Sequence, residues 1–318
     1  MLGPQHVGQR VVVRRIVGMR DERPVFSDIL GHLVEASETH LTVRARSGAI
    51  RVPISEIVRA KPVPPRRRFT PTESLEAAAA LGWPAAEQAS LGDWRLRATD
   101  GWTQRANSAL AIGDPDLSPG EAIDFVQQWY RERGLVPAMS VPVPLFQRLD
   151  DELERRGWIA LPVTQVMTAR HAELTFPPFA AVPGRLALAT TPSAEWLAAV
   201  GGRKGPLPDS AVGVLTSVPH VRFAEWYGED GTLLATARGC VADPGSRWLG
   251  LSVIGVAEAA RRRGLAQRLI AALVEWAGSL GAEEAYLQVE QRNTAAVALY
   301  ERLGFTTHHV YSSRRLLG

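Results

Sequence analysis

The 318-residue chain is predicted to be an α/β (α+β) protein, with a mixed, mostly antiparallel sheet preceded by a small all-β unit. Three observations predict this. Trp248–Val256 reads as a strand, and a helix follows whose apolar positions Leu265, Leu269, Ile270, Leu273 and Trp276 keep a 3.6-residue period. A second strand and helix, over 286–290 and 293–305, repeat that order. Residues 1–65 carry strand signals only.

Taken in order, residues 10–17, 28–36, 39–46 and 49–53 are expected as strands, with a hairpin turn at Ser47-Gly48. Short strands at that spacing suggest a small SH3-like barrel over 1–65. Residues 62–65 are rich in proline and read as a stiff linker, followed by Arg66, Arg67 and Arg68. Residues 66–170 read as a mixed α/β unit. Thr72 is the expected N-cap of a helix over 73–81. Residues 94–98 and 105–112 are expected to pair as strands, and Ser118-Pro119 to open a helix ending before Gly134. Segments 136–143, 145–156 and 162–168 follow as strand, helix and strand. Beyond a loop rich in Pro and Phe, residues 184–318 form the third unit. It is expected to hold a short helix at 195–199 and an antiparallel meander of His220–Tyr227, 232–242 and Trp248–Val256. Turns fall at 229–231 and Pro244-Gly245, and a last strand covers 307–313.

Composition narrows the possible chemistry. Cys240 is the sole cysteine, which excludes an intrachain disulfide and a site built on several thiolates. No apolar stretch is long enough to span a bilayer and residues 1–10 do not read as a leader, so a cytoplasmic protein with no membrane partner is expected. The net charge is +3, unevenly placed: residues 1–68 carry 13 Lys/Arg against 6 Asp/Glu, whereas the remainder carries 23 against 27. The basic first segment is a candidate for contact with nucleic acid or another polyanion.

The most informative stretch runs from Val256 to Phe305. Gly264 and Ala266 leave the backbone bare where the 265–276 helix starts, so its free N–H groups and positive dipole end can meet a diphosphate. Arg261, Arg262 and Arg263 add charge at the same place. The spacing Arg261-x-x-Gly264-x-Ala266 resembles the pyrophosphate loop of the GNAT acetyltransferase superfamily. So does its continuation: a strand over 286–290, then Asn293, Leu299-Tyr300 and Gly304-Phe305. Residues 66–170, with Trp94-Arg-Leu-Arg and Arg105-Ala-Asn-Ser but no such loop, resemble the degenerate first half of tandem GNAT proteins. The three-part order of barrel, degenerate half and GNAT domain resembles a family of actinobacterial acetyltransferases.

That resemblance implies acetyl-CoA as cosubstrate, no metal, and pantetheine lying between the strand ending at Val256 and the strand near Tyr286. Ile254 and Val256 would offer backbone groups, with the Ile254 N–H polarising the acetyl carbonyl. The diphosphate would meet Arg261, Arg262, Arg263, Gly264, Leu265 and Ala266, and Asn293 would bond the pantetheine arm or cap its helix. Tyr300 is the implied general acid, a phenol that keeps its proton at neutral pH.

The general base is open. Trp248–Val256 contains no carboxylate, and Gln288 stands where some GNAT enzymes place a Glu. Glu290, on the same strand face as Gln288, is the chosen candidate, with Glu225 and a water chain as alternatives. Asn107 and Ser108 are expected in a satisfied turn or strand rather than in a pocket. Cys240 reads as a small buried hydrophobe. His308 and His309, adjacent on a strand, are expected to face opposite ways rather than share a metal. The expected activity is N-acetylation of a primary amine, on a protein lysine, an amino terminus or a small molecule. The rival is a nucleic-acid or peptide adaptor whose GNAT domain only senses CoA.

Overall fold

The computed structural model describes residues 2–20, 23–45, 48–63, 68–179, 181–242 and 246–317, with the backbone alone at 203 and 204. Ser47, Pro64, Pro65, Arg66, Arg67 and the Pro244-Gly245 turn lie outside the described residues. The chain divides into two compact units, Met1–Arg68 and Phe69–Gly318.

The first unit is an antiparallel sheet in the order β4-β3-β2-β1-β5, built from β1 (Arg10–Arg20), β2 (Arg23–Ala36), β3 (His40–Ala45), β4 (Gly48–Pro53) and β5 (Ile57–Pro62). Alternation places Val11 and Val13 of β1, Ile29 and Leu33 of β2, Leu41 and Val43 of β3, and Val52 of β4 in one core. Arg14 and Asp28 are cross-strand partners, and the guanidinium donates to both carboxylate oxygens at 2.8 Å.

The second unit begins with α1 (Pro71–Gly82). Its N-cap is Thr70 rather than Thr72: Thr70 Oγ1 accepts from Glu73 N, and Glu73 Oε2 accepts from Thr70 N at 2.8 Å. Pro71 forces the shift, because it suits the first helical position and Thr70 then precedes it. Next come β6 (Glu87–Leu91), β7 (Trp94–Ala98), β8 (Ala109–Leu110), α2 (Pro119–Arg131), β9 (Ala138–Val143), α3 (Gln147–Arg155), β10 (Ile159–Ala160) and β11 (Thr164–Arg170). The expected strand over 105–112 shrinks to β8, because Arg105–Asn107 forms a 3-10 turn. Asn107 organises that turn, accepting from Thr99 N and Gly101 N and donating to the carbonyls of Thr99, Trp102 and Thr103.

The chain continues through β12 (Arg185–Ala189), α4 (Ala194–Lys204), α5 (Asp209–Thr216), β13 (His220–Tyr227), β14 (Leu233–Val241), β15 (Trp248–Val256), α6 (Leu265–Ser279), β16 (Glu284–Glu290), α7 (Thr294–Arg302) and β17 (Thr306–Arg315). One sheet carries all these strands in the order β12-β13-β14-β15-β16-β11-β17-β9-β8-β7-β6, with β10 beside β17. The two halves therefore exchange strands: β11 of the first lies between β16 and β17 of the second, and β17 lies between β11 and β9. A buried ion pair secures the exchange, Arg314 of β17 donating to both Asp150 oxygens on α3 at 2.7 Å. Helix α6 lays Leu265, Leu269, Ile270, Leu273 and Ala277 onto the sheet, as its period requires. Among the described residues no helix is long and apolar enough to cross a membrane.

Candidate active site

Strands β15 and β16 run parallel and pair only from Trp248↔Glu284 to Leu251↔Leu287. Beyond Leu251, β15 bulges. Ser252 pairs with Arg238 and Gly255 with Thr236, so Val253 and Ile254 oppose Ala237 alone. Val253 takes a left-handed φ of 55° to make the bulge. Further along, the Ala257 amide donates to the Leu234 carbonyl at 2.8 Å. Antiparallel alternation then turns the Val256 amide away from β14, and the Ile254 amide with it, toward the gap where β16 has left.

Across this gap stands the amino end of α6. Gly264 is its N-cap, at φ 76° and ψ 9°, and offers no side chain to the helix. The first helical bond runs from Arg268 N to Gly264 O at 3.1 Å, so the amides of Leu265, Ala266 and Gln267 have no helical acceptor. None of Arg261, Arg262 and Arg263 has a carboxylate partner among the described residues, and Arg262 has a left-handed φ of 63°. Uncapped amides and uncompensated guanidinium groups together favour negative charge at this helix end.

A cavity of about 690 Å³ joins these elements. Ile254, Val256, Arg261, Arg262, Gly264, Leu265, Ala266 and Tyr300 all line it, with Gln267 and Leu299. Arg263 does not reach its wall; it is exposed. Asn293 is also outside it, exposed at the start of α7, where its Oδ1 accepts from Ala296 N at 3.3 Å. Tyr300 is buried against Phe305, their rings 6.0 Å apart and steeply inclined, and burial pushes its hydroxyl up to about 12.

Glu290 does not share that cavity. With Ser252, Val253 and Gln288 it lines a second one of about 380 Å³, where the wall also includes Thr164, Tyr311, Trp83, Trp102 and Arg105. Its carboxylate takes a hydrogen bond from Arg292 Nε at 2.6 Å. The two cavities meet the same strand in succession, Ser252–Val253 facing one and Ile254–Val256 the other. Trp83, Trp102, Gln104 and Arg105 come from the first half of the unit and escaped sequence reasoning. The one local signal was the Asp100-Gly101 turn, which breaks the strand pattern after β7.

Three other residues are accounted for elsewhere. Glu225 is buried and lines neither cavity; its oxygens accept from Ser193 Oγ at 2.6 Å and Tyr227 Oη at 2.9 Å, anchoring the N-cap of α4. Cys240 is buried beside the Gly82 carbonyl at 3.4 Å. His308 and His309 do not face apart. Val166 pairs with His309 and Met167 with Thr307, so a bulge at His308 brings the two Nδ1 atoms to 2.9 Å. His309 Nε2 lies 2.8 Å from Glu76 Oε1. Among the described residues no cluster of three or more His, Cys, Asp or Glu could hold a metal ion.

Both the sequence and the fold have counterparts among known proteins. The family model described as "Probable histone acetyltransferase Rv0428c C-terminal" matches residues 72–314. A relative from Mycobacterium tuberculosis, named probable histone acetyltransferase Rv0428c, is 31% identical over 316 residues, 95% of this chain and 93% of its own length. A GCN5-related N-acetyltransferase from Kribbella flavida superposes with a TM-score of 0.59 at 18% identity, covering 77% of this chain and 95% of its own. A tandem GNAT protein from the clavulanic acid biosynthesis pathway does so at 0.52 and 13% identity, covering 80% and 90%. The chain belongs to the GNAT N-acetyltransferases, within the family of the Rv0428c C-terminal region, and has a tandem GNAT-like architecture. It is an acyltransferase.

Proposed function

We propose that the chain transfers the acetyl group of acetyl-CoA directly to a primary amine, of a protein or a small molecule. The observation that carries this reading is the larger cavity, where free helix amides, two arginines, the outward edge of Ile254 and Val256, and a buried tyrosine hydroxyl converge. The diphosphate meets the amides of Leu265 and Ala266 at the bare Gly264, with Arg261 and Arg262 beside it and Arg263 adding field from outside. The Ile254 and Val256 backbone holds the pantetheine amides, and the Ile254 N–H stabilises the oxyanion as the amine attacks. Asn293 acts by fixing the start of α7, and so the position of Tyr300.

Tyr300 donates its proton to the departing sulfur, and burial keeps that proton in place at neutral pH. Glu290, on the wall of the smaller cavity, takes the proton released by the amine, directly or through water. In the first unit Arg14 pairs with Asp28 and Arg15 with Glu56, carboxylates already subtracted in the positive surplus of residues 1–68. Calorimetric titration of acetyl-CoA into the full chain, with thiol release measured on a panel of amines, tests the reading. The absence of both heat and thiol release would overturn it.

A further inference from the structure

Two residues branched at Cβ and held with left-handed backbone, Thr103 at φ 61° and Val253 at φ 55°, line the same cavity of about 380 Å³. Such residues rarely adopt that conformation, and strain of this kind collects where a site over-determines it. Thr103 is pinned from two sides: Asn107 Nδ2 donates to its carbonyl at 2.9 Å, and Trp83 Nε1 donates to its hydroxyl at 3.2 Å. The loop therefore presents Trp102, Gln104 and Arg105 as a fixed set.

The polar atoms of this wall sort by sign. On the loop side, Trp102 Nε1 and Gln104 Nε2 are buried donors without an acceptor, the Gln104 oxygen being held by Arg315 Nε at 2.7 Å. The Arg105 guanidinium lies 5.2 Å over the Trp83 ring, with no carboxylate paired to it among the described residues. On the strand side, Gln288 Oε1 is a buried acceptor without a donor, and Glu290 lies two residues on. Gln288 is also the first residue of β16 past the last rung with β15, as Ser252 is on β15. Gln288 thus stands where the two strands part. Buried polar atoms left unpaired are costly, and their gathering behind one cavity wall marks it as more than packing.

We propose that this cavity selects a small amine that also carries a carboxylate, with the amine toward Gln288 and Glu290 and the carboxylate on Arg105, across the cavity walls those residues form. The proposal rests on the acetyl-transfer reading above. The volume is at the lower end for small-molecule sites, fitting an amino-acid-sized molecule. The stacked rings of Trp83 and Trp102, 5.8 Å apart, cover its carbons. A lysine-rich tail brings no anion for Arg105 and adds like charge. In the transfer, the amine nitrogen bonds the acyl carbon and the C–S bond breaks. Sulfur takes the Tyr300 proton, later restored from solvent, and the proton on nitrogen leaves toward Glu290.

The test compares glutamate, β-alanine and lysine with the amides of the same amino acids and with a lysine-rich peptide, by thiol release and by calorimetry on the full chain. The expected result is a kcat/KM at least tenfold higher for a carboxylate than for its amide. Arg105→Gln should erase that difference, mainly through a raised KM for the carboxylates, and be partly rescued in Arg105→Lys. Amides or peptide acetylated as well as the carboxylates would overturn the proposal, as would an Arg105→Gln effect equal on both. If acetyl-CoA neither binds nor reacts, the transfer reading fails on its own. Amino-acid heat that disappears in Arg105→Gln would then still uphold the subsite, and no such heat would end it.

Discussion

The Tyr286 hydroxyl on β16 occupies the space a side chain would fill at Gly250 on β15, its partner in the parallel ladder. A methyl group at Gly250 would stand 2.5 Å from that hydroxyl and 3.1 Å from Cys240 Sγ. The last paired stretch before the splay is therefore packed without slack. Gly250→Ala should cost about 1–3 kcal/mol by overpacking, read from denaturant midpoints. Adding Tyr286→Phe should recover part of that loss. An unchanged midpoint in Gly250→Ala would refute the close fit.

Gly264 is a different kind of glycine. The nearest atom to an added methyl would be Gln267 Oε1 at 3.4 Å, so there is room, but φ is 76°. Gly264→Ala should cost about 1–2 kcal/mol for the left-handed conformation. The helix start should relax away from it and weaken acetyl-CoA binding by about tenfold, the equivalent of roughly 1.4 kcal/mol. Calorimetry reads the change; an unaltered Kd would remove Gly264 from the anion site.

For Tyr300, the expected signature lies in kcat rather than in binding. Tyr300→Phe should lower kcat by about 10²-fold or more, while the KM for acetyl-CoA and the thermal midpoint stay close to those of the unmodified chain. Because burial pushes the hydroxyl up to about 12, no fall in kcat from its ionisation should appear below about pH 10. Turnover undiminished in Tyr300→Phe would assign the acid elsewhere.

The histidine bulge gives a prediction in pH. Burial, and then the neighbouring His309, holds His308 below the ordinary imidazole range, and burial does the same to His171. Once pH falls below about 6.5, the unfolded chain takes protons that the native chain refuses, so stability is full above that value and drops beneath it. The thermal midpoint should decline from pH 6.5 toward 5, and His308→Gln should make the slope shallower without abolishing it. Equal slopes in both chains would show that the ring pair does not control it.

Much of the larger cavity was legible from residues alone. Arg261, Gly264 and Ala266 act through one helix terminus, and Tyr300 through the next helix, so their order along the chain carries the geometry. Arg263 and Asn293 were assigned to the same wall because they neighbour it in sequence. Direction along a loop or cap is not readable from spacing, and both lie outside. The His308 bulge and the Val253 bulge were invisible for a similar reason: an extra residue in a ladder is defined by the partner strand.

Hydrophobic period, capping residues and one glycine at a helix mouth determined, without any coordinates, the class of fold and the helix-terminus end of the larger cavity, since each is set by residues within a turn or two of one another. The smaller cavity was decided only by tertiary structure. Its walls join Arg105 and Trp83 to Gln288 and Ser252, and Thr164 to Tyr311, across strands exchanged between the two halves. No local pattern encodes which distant strand will fill a place in a sheet; that choice is made by the burial and pairing of the whole unit at once.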